Sequence, residues 1–272
     1  MAMPESRSAF TDIDRAADPA AFVRVLDALT GLGAIRAYKR RTFELLGVEP
    51  GASVLDLGCG TGDDVQDMAR LVGPTGRVVG VDRSETVIAE ARERVRGTTL
   101  PVAFQVADTY ALPFPDATFD VCRADRVFHH LEHPRRAFGE LLRVTRPGGR
   151  VLLFEPDFET AMVDAPDRSL TRQLLNFFCD GYQDGWMGRR LLGLFREAGL
   201  TEIAVEPVTV LLTDLTQANA VLALEDTVML AGAAGLVSTA EGAAWLDALR
   251  EASEAGRFFA AVSGFMVAGL TP

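Results

Sequence analysis

The chain reads as an α/β protein, a doubly wound and mostly parallel sheet covered by helices on both faces. Three observations predict this. Short apolar runs of strand length alternate with stretches of helical spacing from residue 53 onward. The first run opens into a glycine-rich loop, Gly58-Cys59-Gly60-Thr61-Gly62, which sits between strand and helix. The 272 residues, 48% hydrophobic and 24% charged, suffice for one α/β core with helical additions.

Taken in order, residues 18–46 carry apolar side chains at helical spacing (Phe22, Val25, Leu26, Leu29, then Ile35, Tyr38, Phe43), and Gly31 and Gly33 divide them into two helices. Residues 53–57 form the first strand, and 63–72 a helix closed by Gly73 and Pro74. A strand at 77–82 precedes a helix at 84–96 with Ser84 as N-cap. Further strands follow at 102–107 and 119–122, then a helix at 134–144 and a turn at 147–149 into a strand at 150–155. Strands this short and this apolar suit a sheet buried on both faces. After Asp157 the rhythm changes: helices at 166–182 and 189–198, a strand at 202–212, helices at 215–231 and 239–255, and a last strand at 258–270. We divide the chain into an N-terminal helical lid segment (1–46), a ligand-binding core (47–157) and the rest of the sheet with inserted lid helices (158–272), one structural domain overall. Ligands of doubly wound sheets sit outside the C-terminal strand ends, so these helices are expected to cover the substrate.

Charge narrows the function. The balance of 27 Lys and Arg against 38 Asp and Glu gives a net charge of −11, which disfavours nucleic acid and anionic membranes as partners. Lys39 is the sole lysine, so a P-loop is excluded and Schiff-base chemistry has little room. Three scattered cysteines, Cys59, Cys122 and Cys179, make neither a disulfide framework nor a zinc site, and a reducing cytoplasm is the simplest setting. The first twenty residues are polar and show no apolar leader, and the apolar stretch at 258–270 is too short to span a bilayer.

The glycine loop is the sharpest signal, because it lets a ligand touch the main chain without meeting a Cβ. Its spacing is G-x-G-x-G rather than the nicotinamide fingerprint G-x-G-x-x-G, and Asp63 and Asp64 stand where a pyrophosphate would need to sit. Acids there suit a ligand with a cationic part. Asp82 ends the second strand about twenty residues on, where α/β nucleotide sites place an acid on the ribose hydroxyls. Asp108 ends the third strand in the same way and is a candidate for an adenine amino group.

Together, VLDLGCGTG at 54–62, GVD at 80–82, AD at 107–108, LPFPDATFD at 112–120, HHL at 129–131 and RPGG at 146–149 resemble the class I S-adenosylmethionine-dependent methyltransferases. The nearest subgroup is the ubiquinone/menaquinone-biosynthesis type with its small-molecule relatives. The resemblance is close over 47–157 and only general in the flanking helices. It implies a Rossmann-like sheet of seven strands whose last strand runs antiparallel. It also implies S-adenosylmethionine as cofactor, with S-adenosylhomocysteine as product. Asp56, Gly58, Cys59 and Gly60 would hold the methionine part, Asp82 the ribose, and Arg83 would lie against the adenine. Ala107, Asp108 and Thr109 would meet the adenine edge, and Arg123 sits where the family's backbone contacts the methionine amino group.

Methyl transfer from a sulfonium needs mainly positioning, with a base when the acceptor is a hydroxyl, a carbon acid or a protonated amine. His129, His130 and His133 are the chain's only histidines and cluster after the fourth strand. His129 is the candidate base, although His130 and His133 also read as packing and helix-start residues. Asp125 and Arg126 are candidates to bind or orient the acceptor. Tyr182 and Trp186, with Phe177 and Phe178, are candidates for an apolar substrate wall, or for plain core. The basic run at 36–41 reads as a solvated helix face, with one arginine free to reach the cofactor carboxylate. Asp157, Asp164 and Asp167 are spaced like loop and helix-start acids, so no metal is expected. The expected acceptor is a mid-sized, partly apolar small molecule, polyketide-like, quinone-like or aromatic, methylated on oxygen or carbon; a monomer or homodimer is expected. Two alternatives are a cofactor-binding scaffold or non-methylating cyclase on the same fold, and a nicotinamide-dependent oxidoreductase, which lacks the Tyr-x-x-x-Lys pair here.

Overall fold

The protein is described by a computed structural model that covers residues 13–16 and 18–272. Residues 1–12 and 17, which the lid expectation included, lie outside the described residues. Seven strands, β1 (Ser53–Leu57), β2 (Arg77–Asp82), β3 (Val102–Val106), β4 (Phe119–Asp125), β5 (Thr145–Val163), β6 (Thr201–Leu212) and β7 (Ala260–Leu270), form one sheet in the order β3-β2-β1-β4-β5-β7-β6. Strands β1 to β5 pair in parallel, and β7 runs antiparallel to both β5 and β6. This is the Rossmann-like seven-stranded architecture that the resemblance implies.

Helices α1 (Pro19–Gly31) and α2 (Gly33–Leu46) precede the sheet, and α3 (Asp63–Val72), α4 (Glu85–Arg94) and α5 (Pro134–Val144) are its crossovers. On one face Val65, Met68, Ala69 and Val72 of α3 bury against Val54 and Val78. On the other, Ala137, Phe138 and Leu141 of α5 meet Leu55, Leu57 and Phe119, joined by Leu191 and Phe195 of α7 (Met187–Glu197). Burying side chains of this size contributes roughly 1.5–3 kcal/mol each.

The late helices α6 (Arg168–Asp180), α8 (Leu215–Leu222), α9 (Leu224–Ala233) and α10 (Thr239–Glu254) share a core of their own with β6 and β7, centred on Phe178, Leu222, Trp245 and Leu249. Trp245 Nε1 donates to the Thr171 hydroxyl at 2.9 Å, so the one polar atom of the indole is satisfied.

Two elements differ from the sequence reading. The turn at 147–149 does not start a short strand: β5 runs nineteen residues, because β7 supplies a partner as far as Val163. The single helix expected at 215–231 is two, broken at Ala223, which takes φ +46°. No glycine or proline marks that break, so local propensity could not reveal it.

A candidate cofactor and acceptor cavity

One cavity lies at the C-terminal ends of β1, β2 and β4, floored by the glycine loop and roofed by α1, α2 and α8 through Leu26, Ile35 and Val221. Gly58 and Gly60 both hold positive φ, +71° and +51°. A Cβ on Gly58 would come within 2.3 Å of Val127 Cγ2, so only glycine fits that turn. The Gly60 N–H donates to Asp82 Oδ2 at 3.1 Å, and the Ser84 N–H to Asp82 Oδ1 at 3.0 Å. Those amides fix the carboxylate at the cavity edge with lone pairs to spare. Burial nonetheless raises the Asp82 pKa, since the amides only partly offset it.

Behind the loop lies a buried charge network. The β1–β4 register places Arg123 beside Asp56. Arg123, fully buried, donates Nη1 to Asp56 Oδ1 and Asp64 Oδ2, each at 3.0 Å, Nη2 to Asp125 Oδ2 at 2.5 Å, and Nε to the Thr42 hydroxyl at 3.0 Å. Lys39 donates to Asp64 Oδ2 at 2.5 Å, and the Tyr38 hydroxyl to Asp125 Oδ1 at 3.1 Å. Burial pushes Asp56 up to about 6 against the pull of Arg123. Burial also works to raise Asp64, but Lys39 and Arg123 outweigh it and hold that carboxyl below the usual range.

Just past β4 stands Arg126, a non-glycine residue at φ +60°, a conformation that costs roughly 1–2 kcal/mol. Its N–H donates to the Phe154 carbonyl at 2.9 Å, and its Nε lies 3.3 Å from Asp125 Oδ1 without forming a hydrogen bond. The chain then turns through Phe128–His130, where the N–H groups of Val127 and Phe128 donate to Glu155 Oε1 at 2.8 and 2.7 Å. The His129 N–H reaches Glu155 Oε2 at 3.3 Å, and the same oxygen lies 2.5 Å from His129 Nδ1. Burial pushes Glu155 up to about 8, opposed by the amides of Phe128, Val127 and His129. Burial, followed by the Arg126 charge, pushes the His129 imidazole down to about 3. Around this pair stands an aromatic wall. Tyr182 stacks on Phe158 at 4.1 Å, His129 meets both rings edge-on, and Tyr38 stacks on Phe154 at 4.2 Å.

Of the residues singled out from sequence, Asp56, Gly58, Cys59, Gly60, Asp82, Arg83, Thr109, Arg123, Asp125, Arg126, His129 and Tyr182 line this one cavity. Ala107 and Asp108 do not; Asp108 is exposed and its carboxylate accepts the Tyr110 N–H at 2.9 Å. Trp186 is also outside, 41% exposed at the start of α7, with the Arg189 and Arg190 guanidinium groups over its ring. The basic run at 36–41 is not wholly a solvated face, for Lys39 is buried in the cavity wall. Sequence reasoning passed over Glu155 and gave Lys39 no place in the site. An acid at a strand's C-terminal end, in the same position as Asp82, was the available signal for Glu155. A lone lysine among arginines was the signal for Lys39.

The donor set fits a zwitterionic nucleoside. Asp82 offers acceptors for ribose hydroxyls, Asp56 an anion for an ammonium, and Lys39 a cation for a carboxylate, while the bare backbone of Gly58 and Gly60 admits close approach. It does not fit a dinucleotide, because Asp63 and Asp64 fill the first turn of α3, where a pyrophosphate would bind. Among the described residues no group of three or more His, Cys, Asp or Glu side chains is placed to hold a metal ion, and no helix is long and apolar enough to cross a membrane.

Comparison with known proteins agrees with this geometry. The family model described as a methyltransferase domain matches residues 48–198. An uncharacterised 37.1 kDa protein in transposon TN4556 of Streptomyces fradiae is 38% identical over 247 residues, covering 90% of this chain and 70% of that protein. The ubiquinone/menaquinone biosynthesis C-methyltransferase UbiE of Ectopseudomonas mendocina is 43% identical over 131 residues, 47% of this chain and 51% of that relative, so the match spans about half its length. Phosphoethanolamine N-methyltransferase 2 of Haemonchus contortus, solved with S-adenosyl-L-methionine, superposes with TM-score 0.61 at 18% identity, over 97% of this chain and 60% of that one. The [4+2]-cyclase SpnF gives TM-score 0.57 at 24% identity, over 88% and 82%. At such identities these two structures speak to the fold alone. With a family model that matches more than half its length and a cavity whose donor set fits the cofactor, the chain belongs to the class I S-adenosylmethionine-dependent methyltransferases.

Proposed function

We propose that this enzyme methylates an acidic oxygen or carbon of a mid-sized, partly apolar small molecule, with His129 as general base. The observation that carries this reading is the His129 ring, which lines the same cavity as the glycine loop while Nδ1 is tied to Glu155 at 2.5 Å. S-adenosylmethionine brings an activated methyl on a sulfonium, so the protein's task is positioning and proton removal. Asp82 would hold the ribose, Arg83 and Thr109 would border the adenine, and Asp56 with Lys39 would meet the two charges of the methionine end. Asp108 would reach the adenine edge only from outside the present cavity lining.

Tyr182, Phe158 and Phe154 offer flat apolar walls to the acceptor, and Val210, Val221 and Val262 extend the cavity toward β6, α8 and β7. Arg126, held in a strained backbone conformation beside His129, places a cation where an acceptor oxygen would gain negative charge. The net charge of −11 disfavours nucleic acid, which supports a small-molecule acceptor. The SpnF likeness favours no second reading, since it rests on fold alone.

The first test is calorimetric titration with S-adenosylhomocysteine, with NADH and NADPH as controls. Micromolar binding of the first alone is expected; binding of a dinucleotide would overturn the cofactor assignment. Once labelled methyl transfer to a phenol or enol panel identifies an acceptor, His129→Ala should lower turnover by roughly 10²–10⁴-fold with cofactor affinity unchanged. Full turnover in that variant removes His129 as the base.

A further inference from the structure

We propose that Glu155 is the positioning residue that makes His129 a base, by holding Nδ1 as the protonated nitrogen and leaving the Nε2 lone pair to the cavity. The inference rests on the reading of His129 given above. The two oxygens of Glu155 have different partners. Oε1 accepts the Val127 and Phe128 amides, which fixes the carboxylate against rotation. Oε2 is then left for the His129 N–H and for Nδ1. An oxygen at 2.5 Å from Nδ1 in the carboxylate form can only accept, so the ring proton belongs on Nδ1 and Nε2 becomes an acceptor. Three amide donors converging on one buried carboxylate favour its charged form, and they are supplied by the very turn that carries the histidine.

The other titratable groups around the ring come from several elements. Arg126, just past β4, lowers its proton affinity, Asp125 at the end of β4 and Asp184 before α7 raise it, and the His130 and Tyr182 rings lie 3.9 and 5.3 Å from it. Asp184 is itself engaged by Arg190 at 2.5 Å, and Asp125 is shared among Tyr38, Arg123 and Arg126. Among the described residues, Glu155 is the one anion hydrogen-bonded to the imidazole. When an acceptor proton moves to Nε2, the resulting imidazolium is stabilised by the carboxylate 2.5 Å away, and the proton leaves to solvent after turnover. Proton balance sets the condition: with two protons shared between the pair Nε2 is blocked, and with one it is free. The elevated Glu155 pKa, about 8, locates that change.

The test needs no identified acceptor. Full-length protein labelled with ¹⁵N-histidine and saturated with S-adenosylhomocysteine is titrated from pH 6 to 10 by NMR, with His129→Gln assigning the His129 signals. The wild type is expected to lose its Nε2 proton near pH 8 and to show Nδ1–H with bare Nε2 at pH 9. In Glu155→Gln the amide oxygen keeps the Val127 and Phe128 donors, so the NH₂ faces Nδ1 and donates to it. That variant should hold Nε2–H across the whole range, and Glu155→Asp should restore the wild-type pattern. Nε2–H in the wild type at pH 9, or Nδ1–H retained in Glu155→Gln, overturns the proposal. The wild-type spectrum decides the matter even if a variant does not fold. Failure of the wild type to bind S-adenosylhomocysteine would instead count against the methyltransferase reading, whatever the tautomer.

Discussion

Asp82 stands at the junction of two jobs, and its substitution separates them from general stability. The carboxylate orients the Gly60 and Ser84 amides and faces the cavity. On the proposed ribose role, Asp82→Ala removes charged hydrogen bonds to the cofactor as well as that internal brace, and should weaken S-adenosylhomocysteine binding by ~1.5–3 kcal/mol without unfolding the chain. Calorimetry checks it, and unchanged affinity would withdraw the ribose assignment. Asp82 and the glycines were legible in the sequence because short-range spacing dictates them: a strand, a tight turn, then a helix; Asp56 came only with the family resemblance. Lys39 and Glu155 were not, because neither joins the loop locally. Lys39 reaches the site from α2, 25 residues before its partner Asp64, and Glu155 arrives 26 residues after His129. Trp186 was misplaced for a related reason. Aromatic character says how much area a side chain can bury, not against which surface, and here the ring packs outside under two arginines.

Among elements, the segment that precedes α1 is tied to α4 by an acid, beside the ion pair that Asp27 of α1 makes with Arg94 of α4. Asp14 accepts from the Ser84 hydroxyl at 2.7 Å and from the Glu85 and Thr86 amides at 2.8 and 3.0 Å, so it caps α4 from outside that helix. Burial tends to raise its pKa, but the Ser84 and Thr86 hydrogen bonds dominate and hold it at about 2. Asp14→Ala leaves first-turn amides of α4 without an acceptor. A loss of about 1 kcal/mol in chemical unfolding is expected, typical of a missing N-cap, together with faster amide exchange in α1 and unchanged exchange in β1 to β4. Equal protection of α1 in both proteins would mean the roof is held elsewhere. The strands and crossovers around this cap followed from hydrophobic period. The length of β5 did not, since Pro156 and Asp157 read locally as a strand end, and only the antiparallel pairing with β7 carries it on to Val163. The break at Ala223 was hidden for the opposite reason: packing of α8 and α9 into a shared core imposes a left-handed residue that the sequence does not advertise.

For the whole molecule, the buried pair of Glu155 and His129 should set how stability depends on pH. Between its ordinary value of 4.5 and about 8, Glu155 keeps in the native state a proton that the unfolded chain has released. A raised acid pKa contributes stability that is fully present below the unfolded value and lost as pH climbs through the folded one. The imidazoles of His129 and His130 act in the other direction. Both are depressed by burial from an ordinary 6.5, so below that pH the unfolded chain binds protons the native state refuses. Below about pH 6.5 the two effects oppose each other. Above it the histidines are neutral in both states and Glu155 acts alone. Unfolding free energy should therefore fall by about 2 kcal/mol between pH 6.5 and 8, from 1.36 kcal/mol per pH unit for one proton. Denaturant titrations of the ligand-free protein at fixed ionic strength measure it. Glu155→Gln has no proton to lose in that window, and its stability should stay flat there while the acid limb below pH 6 persists. An equal decline in that variant would assign the alkaline loss to other groups and leave Glu155 ionised throughout.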